Sequence, residues 1–428
     1  MAGFIAPEAL PSQPRAAHAQ IPAARVGWGF VTLLALAYAG TWLALLTPVL
    51  VTVALRVREL APDTAAASLS LVFGIGACFA LVGNPVFGRL SDRTVSRFGM
   101  RRPWMLGGML AGSGALLLIA LAPNVGVVLI GWCLAQLAFN AVLATVVAVL
   151  PDHVPPEQRG TVAGVLGMCM PVGQVGGTFL VQTVAGSTLM MFMAPAVIGS
   201  VAVLLLVLRL PDRRLQPGEV EPFDPREWVR SLYIDPRRHP DFAWTWLSRF
   251  LFVTGTAFLS TYQPFFLIDK LGHSAASVPG LIFTSTLVQA TMIVVASPVS
   301  GRLSDALSRR KPFVVGAAAA YATGLWLIAA SDTFTTFLVG VAVTGVGQGV
   351  YFAVDLALVT QLLPNRQRDA AKDLGLFNIA NALPQSVAPA IAPAILALSG
   401  GDYVWLFIVA GGIAFLGSVA ILPLRTVR

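Results

Sequence analysis

GRLSDRTVSRFGMRRPW, from Gly88 to Trp104, sets a dense cluster of charge between two long apolar runs. A shorter copy, GRLSDALSRRKPF, runs from Gly301 to Phe313. The two GRLSD copies begin 213 residues apart, and the Leu-Pro pairs Leu150-Pro151 and Leu363-Pro364 are separated by the same 213. The chain therefore reads as two similar halves in the same direction.

Outward from the hairpins, the composition fixes the solvent. Of 428 residues, 56% are hydrophobic and 11% charged, with a mean hydropathy of +0.78; no water-soluble surface is built from that. A helix needs about 18 or more apolar residues to cross a hydrocarbon core about 30 Å thick, and the sequence holds twelve such runs. The reading is an all-α membrane protein with twelve transmembrane helices in two parallel six-helix repeats. The first six are expected at Trp28 to Leu55, Ser68 to Gly88, Pro103 to Leu121, Val125 to Leu150, Gly160 to Val184 and Thr188 to Leu210, with PDHVPPEQR as the loop after the fourth. The second six are expected at Phe242 to Ile268, Ser277 to Ser300, Pro312 to Ala330, Thr333 to Leu363, Leu374 to Leu398 and Tyr403 to Leu424. Residues 1–25 read as a disordered cytoplasmic tail, 26–210 as the N-terminal bundle, 211–241 as a polar cytoplasmic linker, 242–424 as the C-terminal bundle and 425–428 as a second tail.

The net charge of +8 is topological. With the N-terminus inside, 24 of the 28 Lys and Arg lie on the cytoplasmic side and three, Arg56, Arg58 and Lys270, on the other. The positive-inside rule then places both termini in the cytoplasm of a multi-pass cell-membrane protein. No basic face interleaved with aromatic residues marks a nucleic-acid partner. Cys78, Cys133 and Cys169 lie in apolar runs without metal or disulfide spacing, and the four histidines fall in loops or the tail. No cofactor, metal or catalytic motif is expected, the chain is not read as an enzyme, and nothing in it requires more than a monomer.

Parallel six-helix repeats, a long linker and a charged hairpin after the second helix of each half resemble the major facilitator superfamily. The resemblance is carried by Gly88, Leu90, Asp92, Arg93, Arg101 and Arg102, which match its G-x-L-[AS]-D-R signature and the basic pair that follows. The longer SDR…SRFG…RRP wording is similar to the sucrose transporter and glycoside-pentoside-hexuronide branch, with Met100 in place of a usual basic residue and Ala306 where an Arg would follow Asp305. The resemblance implies secondary transport by alternating access. It also implies a gating latch between the halves at Gly88, Asp92, Arg93, Arg101 and Arg102, repeated at Gly301, Asp305, Arg309 and Arg310. Gly88 would let a neighbouring helix approach closely, and Asp92 would face a helix N-terminus or an Arg. A plain topology anchor is the alternative.

Two ionisable side chains lie well inside predicted spans. Arg249 and Asp355 sit at a similar depth, ~10–12 Å from the cytoplasmic ends of their helices, where an isolated charge costs at least ~2.5–3.5 kcal/mol. A contact between them is the expected solution. Asp355 is then a candidate for binding a coupling proton or a substrate hydroxyl, with Arg249 as its counter-charge, or else the two form a permanent structural pair. Amides and rings recur at helical spacing: Trp132, Gln136 and Asn140; Gln348, Tyr351 and Asp355; Asn378, Asn381 and Gln385. The last set is read as interface packing on a helix bent by Pro384, Pro389 and Pro393. Since amides exchange hydrogen bonds with hydroxyls and rings cover C–H faces, a neutral sugar or glycoside is the leading substrate. Its candidate ligands are Tyr38, Trp42, Gln136, Asn140, Gln174, Tyr262, Gln263, Gln289, Gln348 and Tyr351. The resemblance implies a central cavity lined by helices 1, 4, 7 and 10. A drug or metabolite efflux antiporter and, more remotely, a non-transporting receptor are the alternatives.

Overall fold

The computed structural model describes residues 25–215, 239–307, 309–362 and 379–424. Among them lie twelve helices long and apolar enough to cross a membrane: α1 Trp28–Leu60, α2 Ala65–Asp92, α3 Arg102–Ala120, α4 Val125–His153, α5 Pro156–Thr183, α6 Thr188–Arg209, α7 Pro240–Lys270, α8 Val278–Leu307, α9 Lys311–Ala329, α10 Phe334–Leu362, α11 Ile379–Leu398 and α12 Tyr403–Ala420. Most of the expected linker, both tails beyond Arg25 and Leu424, and Asn378 lie outside the described residues.

The boundaries correct the sequence reading at the helix ends. Both GRLSD copies are helical, closing α2 and α8, so the first turn proper begins at Arg93. PDHVPPEQR is not a loop. α4 continues through Pro151 to His153, Val154 and Pro155 make the turn, and Pro156 opens α5, where its missing N–H costs nothing.

Helix packing repeats between halves. α1 packs on α5 and α6, α2 on α4, and α3 on α4 and α6; α7 packs on α11 and α12, α8 on α10, and α9 on α10 and α12. Few side chains separate the backbones at some crossings. A Cβ added to Gly199 on α6 would stand 2.5 Å from the carbonyl oxygen of Gly40 on α1, an approach typical of small-residue membrane interfaces. Among the described residues a Cβ at Gly88 would meet Ala144 at 3.8 Å, an ordinary contact distance, and one at Gly301 nothing within 4 Å.

The halves meet along α2 with α11 and α5 with α8. The first helix of each half carries a π-helical stretch, Pro48–Thr52 in α1 and Phe266–Lys270 in α7, beside Pro48 and Pro264, which each remove a helix donor. α11 leaves regular helix for one residue, Leu383, directly before Pro384, while Leu383 keeps helical dihedrals.

Candidate functional site

The expected contact between α7 and α10 is present. The Arg249 guanidinium donates through Nη1 to Asp355 Oδ2 and through Nε to Asn381 Oδ1 at 2.7 Å, and it lies 5.7 Å from the centre of the Phe352 ring. Asp355 is fully buried and Arg249 13% exposed. Three helices are thus joined at one guanidinium. The pairing follows from cost: each charge alone in hydrocarbon is unfavourable, and a charge-assisted bond offsets much of that. Among the described residues Asp355 Oδ1 has no hydrogen-bond partner. A buried carboxylate oxygen in that state accepts a proton or a donated hydroxyl, because leaving it bare is what costs energy.

The polar residues expected at a substrate site divide by their partners. Gln289 Nε2 donates to Gln348 Oε1 at 3.1 Å, linking α8 to α10. In the other half, Asn140 Nδ2 donates to the Gln136 carbonyl at 2.8 Å, and the Tyr38 and Trp42 rings meet edge to face at 5.9 Å. Gln174 on α5 is half-buried. Tyr351 is built into packing: it is fully buried, stacks on Phe252 at 3.8 Å and reaches Ser248 at 3.4 Å. Tyr262 and Gln263 are also taken up by protein partners. Tyr262 pairs with Ser70 across the two halves at 2.5 Å, and Gln263 donates to Ser285.

The charged hairpin forms a network inside the N-terminal half. Arg101, whose side chain is 4% exposed, bonds Asp92 at 2.5 Å, Asp152 at 3.0 Å and Ser91 at 2.5 Å, tying α2 to the start of α3 and the end of α4. Asp92 therefore meets an Arg, as the sequence allows, and the bonds of Arg101 lie within the N-terminal half. Asp212 caps α3 from outside: its Oδ2 accepts from the N–H groups of Arg101 and Arg102, both at 2.8 Å, satisfying donors that a helix start leaves open. Arg102 donates to the Leu210 carbonyl, and Met100 N–H to the Arg213 carbonyl at 3.0 Å. The chain leaving α6 is thereby fastened to the hairpin. In the C-terminal half Lys311 fastens the end of α12, donating to the carbonyls of Leu422 and Leu424. There Arg309 N–H meets the Ser304 carbonyl, Arg310 precedes α9 as its N-cap, and the Asp305 side chain lies outside the described residues. Arg93 closes α2 through its N–H to the Leu90 carbonyl.

Gly99 carries this junction. Its φ is +103° and a Cβ there would lie 2.2 Å from Asp212 Oδ2. Gly99→Ala is expected to destabilise the protein by ~1–2 kcal/mol from backbone strain alone, with further loss from the displaced cap. Gly107→Ala, where nothing lies within 4 Å, should stay within ~0.5 kcal/mol. Thermal unfolding of the two purified variants measures the difference.

On the opposite face the halves are joined directly. Arg58, at the end of α1, grips Asp269, at the end of α7, with Nη1–Oδ2 at 2.9 Å and Nη2–Oδ1 at 2.6 Å. The guanidinium lies 5.9 Å from the Phe265 ring, and Phe179 meets Phe283 at 5.5 Å between α5 and α8. With Ser70–Tyr262 this makes a seal that the sequence reading missed. Its signal was present in the two opposite charges that follow the first helix of each half. Asp152, Asp212 and the role of Asn381 were missed as well.

The chain matches the Major Facilitator Superfamily over residues 28–296 and 275–428. It is 29% identical over 130 residues to Sucrose transport protein SUC3 of Arabidopsis thaliana, covering 25% of this chain and 22% of that one. It is 32% identical over 127 residues to the General alpha-glucoside permease of Schizosaccharomyces pombe, covering 26% and 23%. The chain thus spans about a quarter of the length of these relatives. The crystal structure of a D-xylose-proton symporter superposes with a TM-score of 0.67 at 16% identity, covering 93% of this chain and 98% of that one. Signature, twelve-helix fold and a family match from residue 28 onward agree, and the chain belongs to the Major Facilitator Superfamily of membrane transporters.

Proposed function

We propose that the chain is a cell-membrane symporter that takes up a neutral sugar or glycoside together with a proton, by alternating access between the bundles 26–210 and 242–424. The observation that carries this reading is the buried Arg249–Asp355–Asn381 cluster, with one carboxylate oxygen left unpartnered. The charge is balanced, so the cluster attracts a proton or a hydroxyl rather than an anionic group. The amides of Gln136, Asn140, Gln289 and Gln348 and the rings of Tyr38 and Trp42 supply bonds and stacking suited to a polyhydroxylated solute. The partial likeness to a sucrose transport protein and an alpha-glucoside permease points to the same class.

The asymmetry of Lys and Arg makes the hairpin face cytoplasmic. The Arg58–Asp269 seal is then the outer gate, the hairpin network holds the inner ends of α2, α3 and α4 together, and Tyr262 belongs to the gate rather than the sugar site. Purified protein in vesicles tests the reading. Labelled neutral glycosides should accumulate only when a proton gradient is imposed, and a protonophore should collapse the accumulation. Export of lipophilic dyes without sugar accumulation would replace it with the efflux reading.

A further inference from the structure

The tip of the first hairpin, Val95 to Phe98, has no role in the network behind it. Phe98 is 59% exposed and Val95 48%, and Leu90, one turn back on α2, is 43% exposed. Arg97 is exposed and its guanidinium lies 4.7 Å from the centre of the Phe98 ring. The tip is ordered by its own bonds: Ser96 Oγ accepts from Phe98 N–H at 3.1 Å and the Ser96 carbonyl from Gly99 N–H at 3.1 Å.

Its level is set by Trp104. That indole donates to Thr94 Oγ1 at 2.7 Å and packs on Phe87 at 5.3 Å, so the chain after α2 folds back against the start of α3 instead of extending into water. Tryptophan at a helix end marks the headgroup region. An exposed Phe beside an exposed Arg at that level presents an apolar wedge and a cation side by side. Apolar side chains enter the boundary between headgroups and acyl chains, while a guanidinium remains among the phosphates.

We propose that Val95, Arg97 and Phe98 form a docking site for anionic phospholipid in the leaflet on the hairpin's side. Phe98 enters the interface and Arg97 binds the headgroup phosphate. The hairpin also holds the root of the linker through Asp212 and Met100, so lipid at the tip bears on the junction between the halves.

The test uses the full chain with Cys78, Cys133 and Cys169 replaced by Ala and a nitroxide on Phe98→Cys, in vesicles of phosphatidylglycerol with phosphatidylcholine. The label should be more accessible to oxygen than to a water-soluble nickel chelate. The preference should weaken in phosphatidylcholine alone, and Arg97→Gln should raise the phosphatidylglycerol level needed for half-maximal insertion ~5-fold, the effect of about 1 kcal/mol per basic residue near a charged surface. Aqueous accessibility in phosphatidylglycerol vesicles would overturn the proposal. Insertion equal in both lipids would overturn headgroup recognition. Low accessibility to both reagents would instead place protein, such as residues 216–238, over the tip, and would overturn it equally.

Discussion

Asp355→Asn is expected to abolish proton-driven accumulation, and pairing it with a second change separates this loss from simple unfolding. In the single variant the Arg249 guanidinium keeps Asn381 but loses the carboxylate that neutralises it. Breaking a buried pair on one side costs ~3–5 kcal/mol, whereas replacing both partners by apolar groups of similar size is often neutral. Arg249→Met with Asp355→Leu should therefore recover the thermal stability that Asp355→Asn loses. If the pair is purely structural, transport returns with stability. If Asp355 carries the coupling proton, the stable double variant still fails to concentrate substrate under a proton gradient. A third readout, exchange of labelled for unlabelled substrate with no gradient, isolates binding and gating: it should survive in the double variant at reduced rate. Undiminished uptake by Asp355→Asn across a pH series would sink the coupling role.

Most of the fold was legible because lipid leaves few alternatives. A backbone in hydrocarbon must satisfy its own hydrogen bonds, so each apolar run of sufficient length is a helix, and the repeated GRLSD fixes the two halves. The ends were misread for the same reason. Charged and proline-bearing segments such as GRLSD and PDHVPPEQR look like loops by composition, yet no lipid opposes their continuing as helix beyond the hydrocarbon. The Arg249–Asp355 contact was readable from depth alone, since two opposite charges at one level have few other solutions. Tyr262 was not. A tyrosine on the first helix of the second half suits a sugar site as well as a contact between halves, and its position in the sequence does not name Ser70 as its partner. Helical spacing likewise put Asn381 on a stripe with Gln385, but Gln385 is exposed while Asn381 meets Arg249. A stripe gives a face, not its occupant.

The two hairpins also differ in a way that their sequences state only in part. In the first, an acid after α6 caps α3 and an Arg inside the network binds two carboxylates. In the second, the lysine that opens α9 meets backbone carbonyls after α12. A carboxylate holds a cation more firmly than a neutral carbonyl does, and among the described residues the N-terminal bundle has that contact at this face. The buried charge pair lies in the other bundle. Under the proposed proton coupling, the titrating group would belong to one bundle, which rocks against the other around a fixed site in alternating access.

Opening the opposite face requires breaking Arg58–Asp269 and Ser70–Tyr262, and Arg58→Ala with Tyr262→Phe is expected to shift the resting population toward that opening. The two bonds differ in strength. Arg58 and Asp269 are 29% and 33% exposed, so solvent screens their attraction and the pair contributes about 1 kcal/mol to the sealed state. Tyr262 is fully buried, and removing its hydroxyl forfeits a bond worth ~0.5–1.5 kcal/mol; Ser70 keeps a bond to the Ala66 carbonyl at 2.7 Å, which limits the further penalty. Together the changes should move the equilibrium by ~1.5–2.5 kcal/mol, a roughly tenfold to seventyfold shift, with Arg58→Ala alone giving about fivefold. Nitroxides at Asp63→Cys and Ala275→Cys, exposed positions flanking the seal on opposite halves, report the opening as a longer distance population. The charge swap Arg58→Asp with Asp269→Arg supplies the control. It restores the attraction with its sign reversed, so the distance distribution should return toward that of the unaltered protein, whereas either half of the swap alone places like charges together and should open the seal further than Arg58→Ala. Identical distributions in all of these variants would show that apolar packing between α2 and α11 and between α5 and α8 holds this face closed, and that the ion pair is incidental to the gate.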